Sequence, residues 1–392
     1  MDSRSFSLPI VVASGALMLF HTSATYALNG TELTGYGVQA AGMGGASIAL
    51  PQDSVAAANN PAGMALVGNR ADLGLQFVLN SLNIDYAVPG NSLHSGIVAP
   101  VPEGGFNIVV SPDVTVGMSL FGMGLAANYK QPALPGLGLA NAKSSLQMAV
   151  VAPTVTYRVT QNSYVGVSAQ IAYELFEAQG VVAPSSDGSL SALPNHGTRS
   201  AFGYGGQLGW LWTPSDIVTV GATFASKINT SALSGYGNDL LNYNAGKLEA
   251  PMHFGAGIAV RPLQSLTLSA DYLHLNWRST ALGDAATFNW KNQDIFRFGA
   301  AYDINSRWTV RAGASLANCV IGSADTAPNF LSGGVNSKAV TVGASYRFAN
   351  HVELNAAYEY DLPVGIVGTG RSRGFNLETR TSVVSVGVGI PF

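Results

Sequence analysis

The chain has 392 residues, of which 47% are hydrophobic and only 10% charged, whereas a typical soluble domain carries about 25% charged residues. Its formal net charge is −3 and it contains no run of like charges, which argues against a nucleic-acid-binding protein. The single cysteine, Cys319, excludes a disulfide within the chain.

The first residues have the composition of a secretory signal peptide. Arg4 precedes an apolar stretch over 9–20, and small residues follow it up to Ala27. The apolar stretch is shorter than the roughly 20 residues that a membrane-spanning helix needs. We therefore predict a signal peptide over 1–27, cleaved after Ala27 or, as the alternative, after Ala24. An N-terminal anchor helix is the competing interpretation.

A segment rich in glycine and alanine, residues 28–70, separates the signal from the first strand pattern and lacks period-two alternation. The alanine run 56–58 predicts a short helix, and Pro61 and Gly63 predict a turn after it. The segment is too long for an ordinary tail in front of a sheet, so we treat it as a separate unit.

From residue 71 to residue 392, apolar residues alternate with polar or small ones in about fourteen segments, the pattern of β-strands. Short connections such as 111–113 and 160–162 alternate strictly with long ones. The long connections are predicted over 88–102, 125–144, 184–198, 234–246, 280–292, 319–335 and 364–378.

Two architectures have such alternating strands, a soluble sandwich and a transmembrane barrel. The low charge, the signal peptide, the short turns at one rim and long loops at the other favour the barrel. No later stretch is long and apolar enough for a spanning helix. We therefore predict an all-β protein, a transmembrane antiparallel barrel of about 14 strands over 71–392, in the outer membrane of a Gram-negative bacterium.

Three features of the chain carry a family resemblance: Gly42–Ala46, the hatch motif Asn60, Pro61 and Ala62, and the strand segments 218–228, 308–313 and 342–348. The resemblance is to the FadL family, outer-membrane transporters of long-chain fatty acids and other hydrophobic compounds. It implies that residues 28–70 form a hatch that plugs the lumen. It also implies passive uptake of an apolar ligand and its sideways release into the membrane at a kink in the third strand.

The third predicted strand, 114–124, ends in a glycine-rich stretch. Glycine inside a strand marks a bulge or a close approach of another backbone, so we place the kink at Gly122 and Gly124 and a pocket-lining residue at Phe121. An ordinary glycine-rich strand end is the alternative.

A ligand that carries a carboxylate should meet a lumen-facing cation. Strand parity gives Lys227, Arg297, Arg199 and His253 as candidates. The alternative is that inward charges pair with one another across neighbouring strands and fill a polar lumen.

The histidines show no metal-ligand spacing and no Gly-x-Ser-x-Gly elbow is present, so we expect no enzyme, no metal and no cofactor. The expected partners are a hydrophobic small molecule, either a fatty acid or an aromatic compound, and outer-membrane lipid. Barrel closure favours a monomer. The alternatives are a general porin, a surface-interaction barrel that binds through its loops, and a transporter restricted to small aromatic hydrocarbons.

Overall fold

The computed structural model describes residues 29–136, 139–184, 190–333 and 336–392. The predicted signal peptide and its cleavage site lie outside the described residues. Among the helices within these ranges, none combines the length and the apolarity needed to cross a membrane.

Fourteen antiparallel strands form one closed barrel, which confirms the predicted fold class. In chain order the strands are β1 Arg70–Asp85, β2 Ser92–Val109, β3 Val114–Asn128, β4 Lys143–Thr160, β5 Ser163–Gln179, β6 Arg199–Trp212, β7 Val218–Ala225, β8 Met252–Leu263, β9 Leu266–Asn276, β10 Gln293–Asp303, β11 Trp308–Ala317, β12 Lys338–Arg347, β13 Glu353–Ile366 and β14 Asn376–Pro391. The ring closes because β14 pairs with β1 from Arg70↔Pro391 to Asp85↔Asn376.

Shorter elements occupy the N-terminal segment and the connections. The N-terminal segment contains helix α1 Val38–Ala41 and the 3-10 helices Ala56–Ala58 and Pro61–Leu66, so the alanine run is helical as predicted. Two short strand pieces, Val182–Pro184 and Leu190–Ala192, form a hairpin, and Asn229–Thr230 pairs with β6. Further 3-10 turns are Tyr236–Asn238, Asn242–Asn244, Trp277–Ser279, Ala281–Gly283, Ser323–Asp325 and Gly370–Ser372.

The two faces of the sheet differ as the sequence parity predicts. In β10, Phe296 and Phe298 are 49% and 48% exposed, whereas Arg297 between them is 4% exposed. The outer face of the sheet is therefore apolar and the inner face carries the charges, which is the arrangement of a barrel surrounded by lipid.

The predicted loop over 88–102 is wrong, because β2 already begins at Ser92. Pro100 and Pro102 are residues that usually end a strand. Both lie in the part of β2 that pairs only with β1, opposite Phe77 and Leu75. Proline lacks an N–H and is tolerated where one side of a strand has no partner, so the two prolines fit the strand.

The predicted third strand also ends too early. The prediction ends it at Gly124, but β3 continues to Asn128, which pairs with Lys143 of β4. One hydrogen-bonded neighbour is enough to hold this glycine-rich part extended. The alternation of short turns with longer connections is confirmed. The predicted loop over 234–246 is too short, because β7 ends at Ala225 and β8 begins at Met252, with only the strand piece Asn229–Thr230 between them. The remaining predicted loops agree with the structure within a few residues of their ends.

Candidate functional site

The N-terminal segment, residues 29–69, lies inside the ring of strands and binds its inner face on several sides. The backbone N–H of Gly44 donates to Thr341 Oγ1 of β12 at 2.8 Å, and the N–H of Ser47 donates to Asp271 Oδ2 of β9 at 2.6 Å. Further hydrogen bonds reach β1, β2, β4, β6 and β13. The segment is thus bound around the circumference of the lumen.

The predicted motif Asn60, Pro61 and Ala62 holds one turn of this segment against the wall. The Asn60 side chain begins the 3-10 helix by accepting from Ala62 N at 3.1 Å, and its Nδ2 donates to Ile48 O at 2.8 Å and to Trp210 O at 3.1 Å. The Pro61 carbonyl accepts from a threonine of β4. One asparagine therefore links two parts of the segment to β6.

Glycines on the inner face of the strands make room for the segment. A Cβ added at Gly209 of β6 would lie 2.0 Å from Asn60 Oδ1, and one added at Gly313 of β11 would lie 2.2 Å from the carbonyl carbon of Met43. Both distances are shorter than any real contact. We call the strand glycines that touch the segment backbone in this way the glycine seats; they are Gly105, Gly166, Gly209, Gly221, Gly299 and Gly313.

The wall of the barrel opens between β2 and β3. Their pairing ends at Gly104↔Leu120, although β2 continues to pair with β1 and β3 with β4. The two strands meet again near the long-loop rim, where Asn128 N donates to Ser95 Oγ at 2.8 Å. We call the gap between residues 95–103 of β2 and 121–128 of β3 the β2–β3 window.

The two predicted kink glycines border this window. Gly122 faces Val101 of β2, whose Cγ1 would lie 3.0 Å from a Cβ added at Gly122. The N–H of Gly124 donates to the carbonyl of Thr31 in the N-terminal segment at 2.8 Å, not to β2. The segment therefore satisfies part of the edge of β3 that β2 leaves unpaired.

Buried apolar side chains cover the lumenal side of the window. Phe121 is 3% exposed, and its ring lies 4.8 Å from the ring of Tyr36 in the N-terminal segment. We call this surface the apolar wall; it consists of Ala99, Val101, Phe121, Met123, Met148, Val150 and Ala172. These side chains form one buried apolar cluster with Leu33, Tyr36, Val55 and Ala58 of the N-terminal segment.

A second apolar cluster lies at the long-loop rim. Its aromatic members include Tyr86, Tyr129, Trp277, Trp290 and Phe330. A cavity of about 10 Å³, the space of about one water molecule, lies between the two clusters. The cavity is lined by Thr31, Met123, Gly124, Leu146, Met148, Leu248, Glu249, Ala250 and Leu282.

Two of the predicted cations are buried or held by other groups. Arg297 faces the lumen from β10, opposite Asp271 of β9, and its Nη1 donates to the Gly45 carbonyl at 3.5 Å. Lys227 follows β7, and its Nζ donates to Glu249 Oε1 at 2.9 Å and to a loop carbonyl at 3.1 Å. Neither cation belongs to the apolar wall.

The other two predicted cations lie elsewhere. Arg199 begins β6 and is exposed, with its Nε donating to Ser234 O at 3.3 Å, so it belongs to the rim and not to the buried lumen. His253 faces the lumen from β8, and its Nδ1 lies 3.7 Å from Glu32 Oε1, which is too far for a hydrogen bond. The four cations therefore do not converge on one place.

Among the buried acids that the sequence interpretation did not name is Glu174 of β5. It is 0% exposed, and neither carboxyl oxygen has a hydrogen-bond partner among the described residues. Strand parity places Glu174 in the lumen, because successive side chains of a strand point to opposite faces. Its neighbour Tyr173 is 39% exposed on the outer face, as this alternation requires. The described residues contain no group of three or more His, Cys, Asp or Glu that could hold a metal ion.

A family model described as outer membrane protein transport protein (OMPP1/FadL/TodX) matches residues 16–365. A search of curated proteins finds no match.

Solved structures show a similar fold. A Pseudomonas aeruginosa FadL homologue has a TM-score of 0.71 at 18% identity, over 93% of this chain and 100% of that one. The Pseudomonas putida toluene transporter TodX has a TM-score of 0.71 at 19% identity, over 93% and 100%. The Ralstonia pickettii toluene transporter TbuX has a TM-score of 0.68 at 20% identity, over 92% and 99%.

Proposed function

The chain belongs to the outer membrane protein transport family (OMPP1/FadL/TodX), outer-membrane transporters of hydrophobic compounds, and from this we propose that it passes small apolar molecules sideways into the membrane through the β2–β3 window. The family is one of transporters and not of enzymes. The protein is an outer-membrane barrel, so lipid surrounds its outer face.

The observation that carries the proposal is the loss of β2–β3 pairing directly beside the apolar wall. A barrel wall in lipid normally satisfies all its backbone groups by strand pairing, so a gap needs a reason. Here the gap lies where buried apolar side chains reach it from the lumen. An apolar molecule on this wall would reach lipid without crossing water.

We assign residues 29–69 the role of a hatch. The segment binds the inner wall through hydrogen bonds to strands on opposite sides of the lumen, among them Gly44 to β12 and Ser47 to β9. It would close the aqueous path of a general porin while it leaves the apolar wall in place. A monomer is sufficient for this function, because the site lies within one barrel.

The proposed route runs from the apolar cluster at the long-loop rim, past the small cavity, along the apolar wall and out through the window. Burial of apolar surface drives entry, at about 0.8 kcal/mol for each CH₂ group. Transfer into lipid then keeps that surface out of water. No chemical step is needed, and binding along the route must stay weak so that the ligand leaves.

We propose a small apolar compound, such as an aromatic hydrocarbon, in preference to a long-chain fatty acid. The apolar wall contains no cation for a carboxylate, and Lys227 is already bound to Glu249. The small cavity favours a compact ligand. Two of the similar structures are those of toluene transporters, which supports this choice.

A disulfide across the window tests the route. Val101→Cys and Gly122→Cys, in a Cys319→Ser background, bring two sulfurs within bonding reach because the Val101 Cγ1 would lie 3.0 Å from a Cβ at Gly122. We expect oxidation to reduce uptake of radiolabelled toluene to the level of cells that lack the protein. A reductant should restore it.

The control pair is Ile108→Cys and Val116→Cys, which face each other in the paired part of β2 and β3. Its oxidation should leave uptake unchanged. Full toluene uptake with the window locked would contradict lateral release. A large ion conductance of the unmodified protein in planar bilayers would favour a general porin instead.

A further inference from the structure

We propose that Glu174 forms the polar end of the ligand site, and that the site therefore takes apolar compounds bearing a hydroxyl group, alcohols and phenols, in preference to carboxylates. The inference rests on the proposed function and specifies the chemical class of its ligand. It follows from one buried carboxyl group, its neighbours and the distribution of charge in the lumen.

Glu174 differs from Asp271 and Glu353, two other acids inside the barrel, in the hydrogen bonds that its carboxyl group makes. Asp271 accepts two backbone N–H groups, and Glu353 contacts two arginines. Glu174 is 0% exposed, and both its carboxyl oxygens lack a hydrogen-bond partner among the described residues. A buried carboxyl group without a partner destabilises the protein, and a ligand that donates a hydrogen bond would relieve this.

The neighbours of Glu174 do not supply that hydrogen bond. It lies opposite Met148 of β4 and Ala201 of β6, which have no side-chain donor. Glu249 lies close enough to repel it. The oxygens of Glu249 are already bound, Oε1 to Lys227 at 2.9 Å and Oε2 to an asparagine amide at 2.7 Å and a backbone N–H at 3.1 Å.

Met148 lies opposite Glu174 on the neighbouring strand and also lines the small cavity between the two apolar clusters, whereas Glu174 does not line it. Met123 and Glu249 line the cavity together with Met148. Methionine is unbranched and changes rotamer readily, so rotation of Met148 would join the cavity to the carboxyl group. A bound molecule would then place its polar group at Glu174 and its apolar body along the apolar wall toward Phe121.

Charge along this part of the lumen excludes a carboxylate. Strands β3, β4 and β5 are described throughout, and two of their charged side chains share the lumenal parity, Glu174 and Arg158. Arg158 lies at the short-turn end of β4, where its Nη2 donates to the Gln161 carbonyl at 2.9 Å, far along the strand from Met148, the residue opposite Glu174. Arg297, the most deeply buried of the predicted cations, lies on β10 opposite Asp271. An anionic ligand would meet Glu174 without a counter-ion, whereas a neutral hydroxyl group donates to a carboxyl oxygen in either protonation state.

Binding of three matched ligands to the purified full-length protein in detergent tests the inference. The ligands are toluene, p-cresol and p-toluate, which share the methylphenyl body and differ in the polar group. We expect p-cresol to bind at least about tenfold more tightly than toluene, the value of one hydrogen bond to a charged acceptor, and p-toluate to bind most weakly. Glu174→Leu should abolish the preference for p-cresol over toluene.

Two variants complete the design. Glu174→Gln keeps an acceptor oxygen and should retain part of the preference for p-cresol. Glu177→Gln, on the same strand but ion-paired with Lys143 at the rim, should retain all of it. The comparison of the three ligands on the unmodified protein needs no variant, so misfolding of Glu174→Leu does not remove the test.

The outcomes separate this inference from the proposed function. Saturable toluene binding with no preference for p-cresol, or with tighter binding of p-toluate, would overturn the inference alone. An unchanged preference for p-cresol in Glu174→Leu would also overturn it. Absence of binding for all three ligands would overturn the proposed function together with the inference.

Discussion

Gly209→Ala should release the turn at Asn60 from the barrel wall. The added Cβ would lie 2.0 Å from Asn60 Oδ1 and 2.7 Å from Ala62 N. Neither group can give way without loss of contact, because Oδ1 accepts from Ala62 N and the other end of the amide donates to Ile48 O and Trp210 O.

The magnitude follows from these three hydrogen bonds. At about 1 kcal/mol each, their loss weakens the seated turn by about 3 kcal/mol. That change raises the population of barrels with a displaced turn by a factor of about 150. The steric overlap between the added Cβ and Asn60 weakens the seated turn further. If the barrel wall does not deform, the factor of about 150 is therefore a lower bound.

Ion conductance across planar bilayers measures the displaced population, because a displaced hatch opens an aqueous path. We expect more frequent openings in Gly209→Ala than in the unmodified protein. Protease digestion of the N-terminal segment should also become faster. Heat-modifiable electrophoretic mobility confirms that the barrel is folded in both proteins.

Gly206→Ala is the matched control on the same strand. Its Cβ would lie 3.5 Å from the nearest neighbouring atom, which is ordinary contact, so conductance should not change. Equal conductance and equal digestion rates for Gly209→Ala and Gly206→Ala, with both barrels folded, would refute the assignment of Gly209 as a seat for the hatch.

Three further predictions concern the window, the hatch and the lone cysteine. Pro100→Val with Pro102→Val restores two N–H donors to β2, so pairing with β3 should extend beyond Leu120. We expect slower hydrogen exchange in β3 and lower toluene uptake. Unchanged hydrogen exchange would contradict this prediction. Asp271→Asn replaces the charged acceptor of two backbone N–H groups of the hatch by a neutral one. The weaker hydrogen bonds should displace the hatch more often and raise ion conductance in planar bilayers by roughly tenfold. No rise would show that other contacts hold the hatch. Burial raises the pKa of the Cys319 thiol and so lowers its thiolate fraction. Alkylation of Cys319 by iodoacetamide at pH 8 should therefore be slower in the folded protein than in the denatured chain. Equal alkylation rates would refute this prediction.

The strands and their faces could be predicted from the sequence because both follow local rules. Parity placed Phe296 and Phe298 outside and Arg297 inside without knowledge of any other strand. Turn residues likewise marked most of the connections. Local signals failed at Pro100 and Pro102, where a proline that reads as a break is compatible with a strand that lacks a partner on one side.

The candidate site depends on relations between distant residues, which one sequence does not display. The window exists because β2 and β3 stop pairing at Gly104 and Leu120, and neither residue is unusual by itself. Strand parity predicts Lys227 as a lumenal cation but gives no sign of its partner, Glu249, whose Oε1 lies 2.9 Å from Lys227 Nζ. Glu174 matters because its carboxyl oxygens find no hydrogen-bond partner in the part of the chain that the structure describes, and this leaves no mark on the sequence.

The glycine seats also bear on how the protein is assembled. The hatch precedes β1 in the chain, yet it touches seats from Gly105 on β2 to Gly313 on β11. If β1 joined β14 first, the hatch would have to thread into a finished ring whose inner wall leaves it no spare room. The strands are therefore expected to wrap around a hatch that is already in place. The N-terminal segment would then act as a template for barrel assembly. Deletion of this segment would impair biogenesis of the barrel as well as its gating.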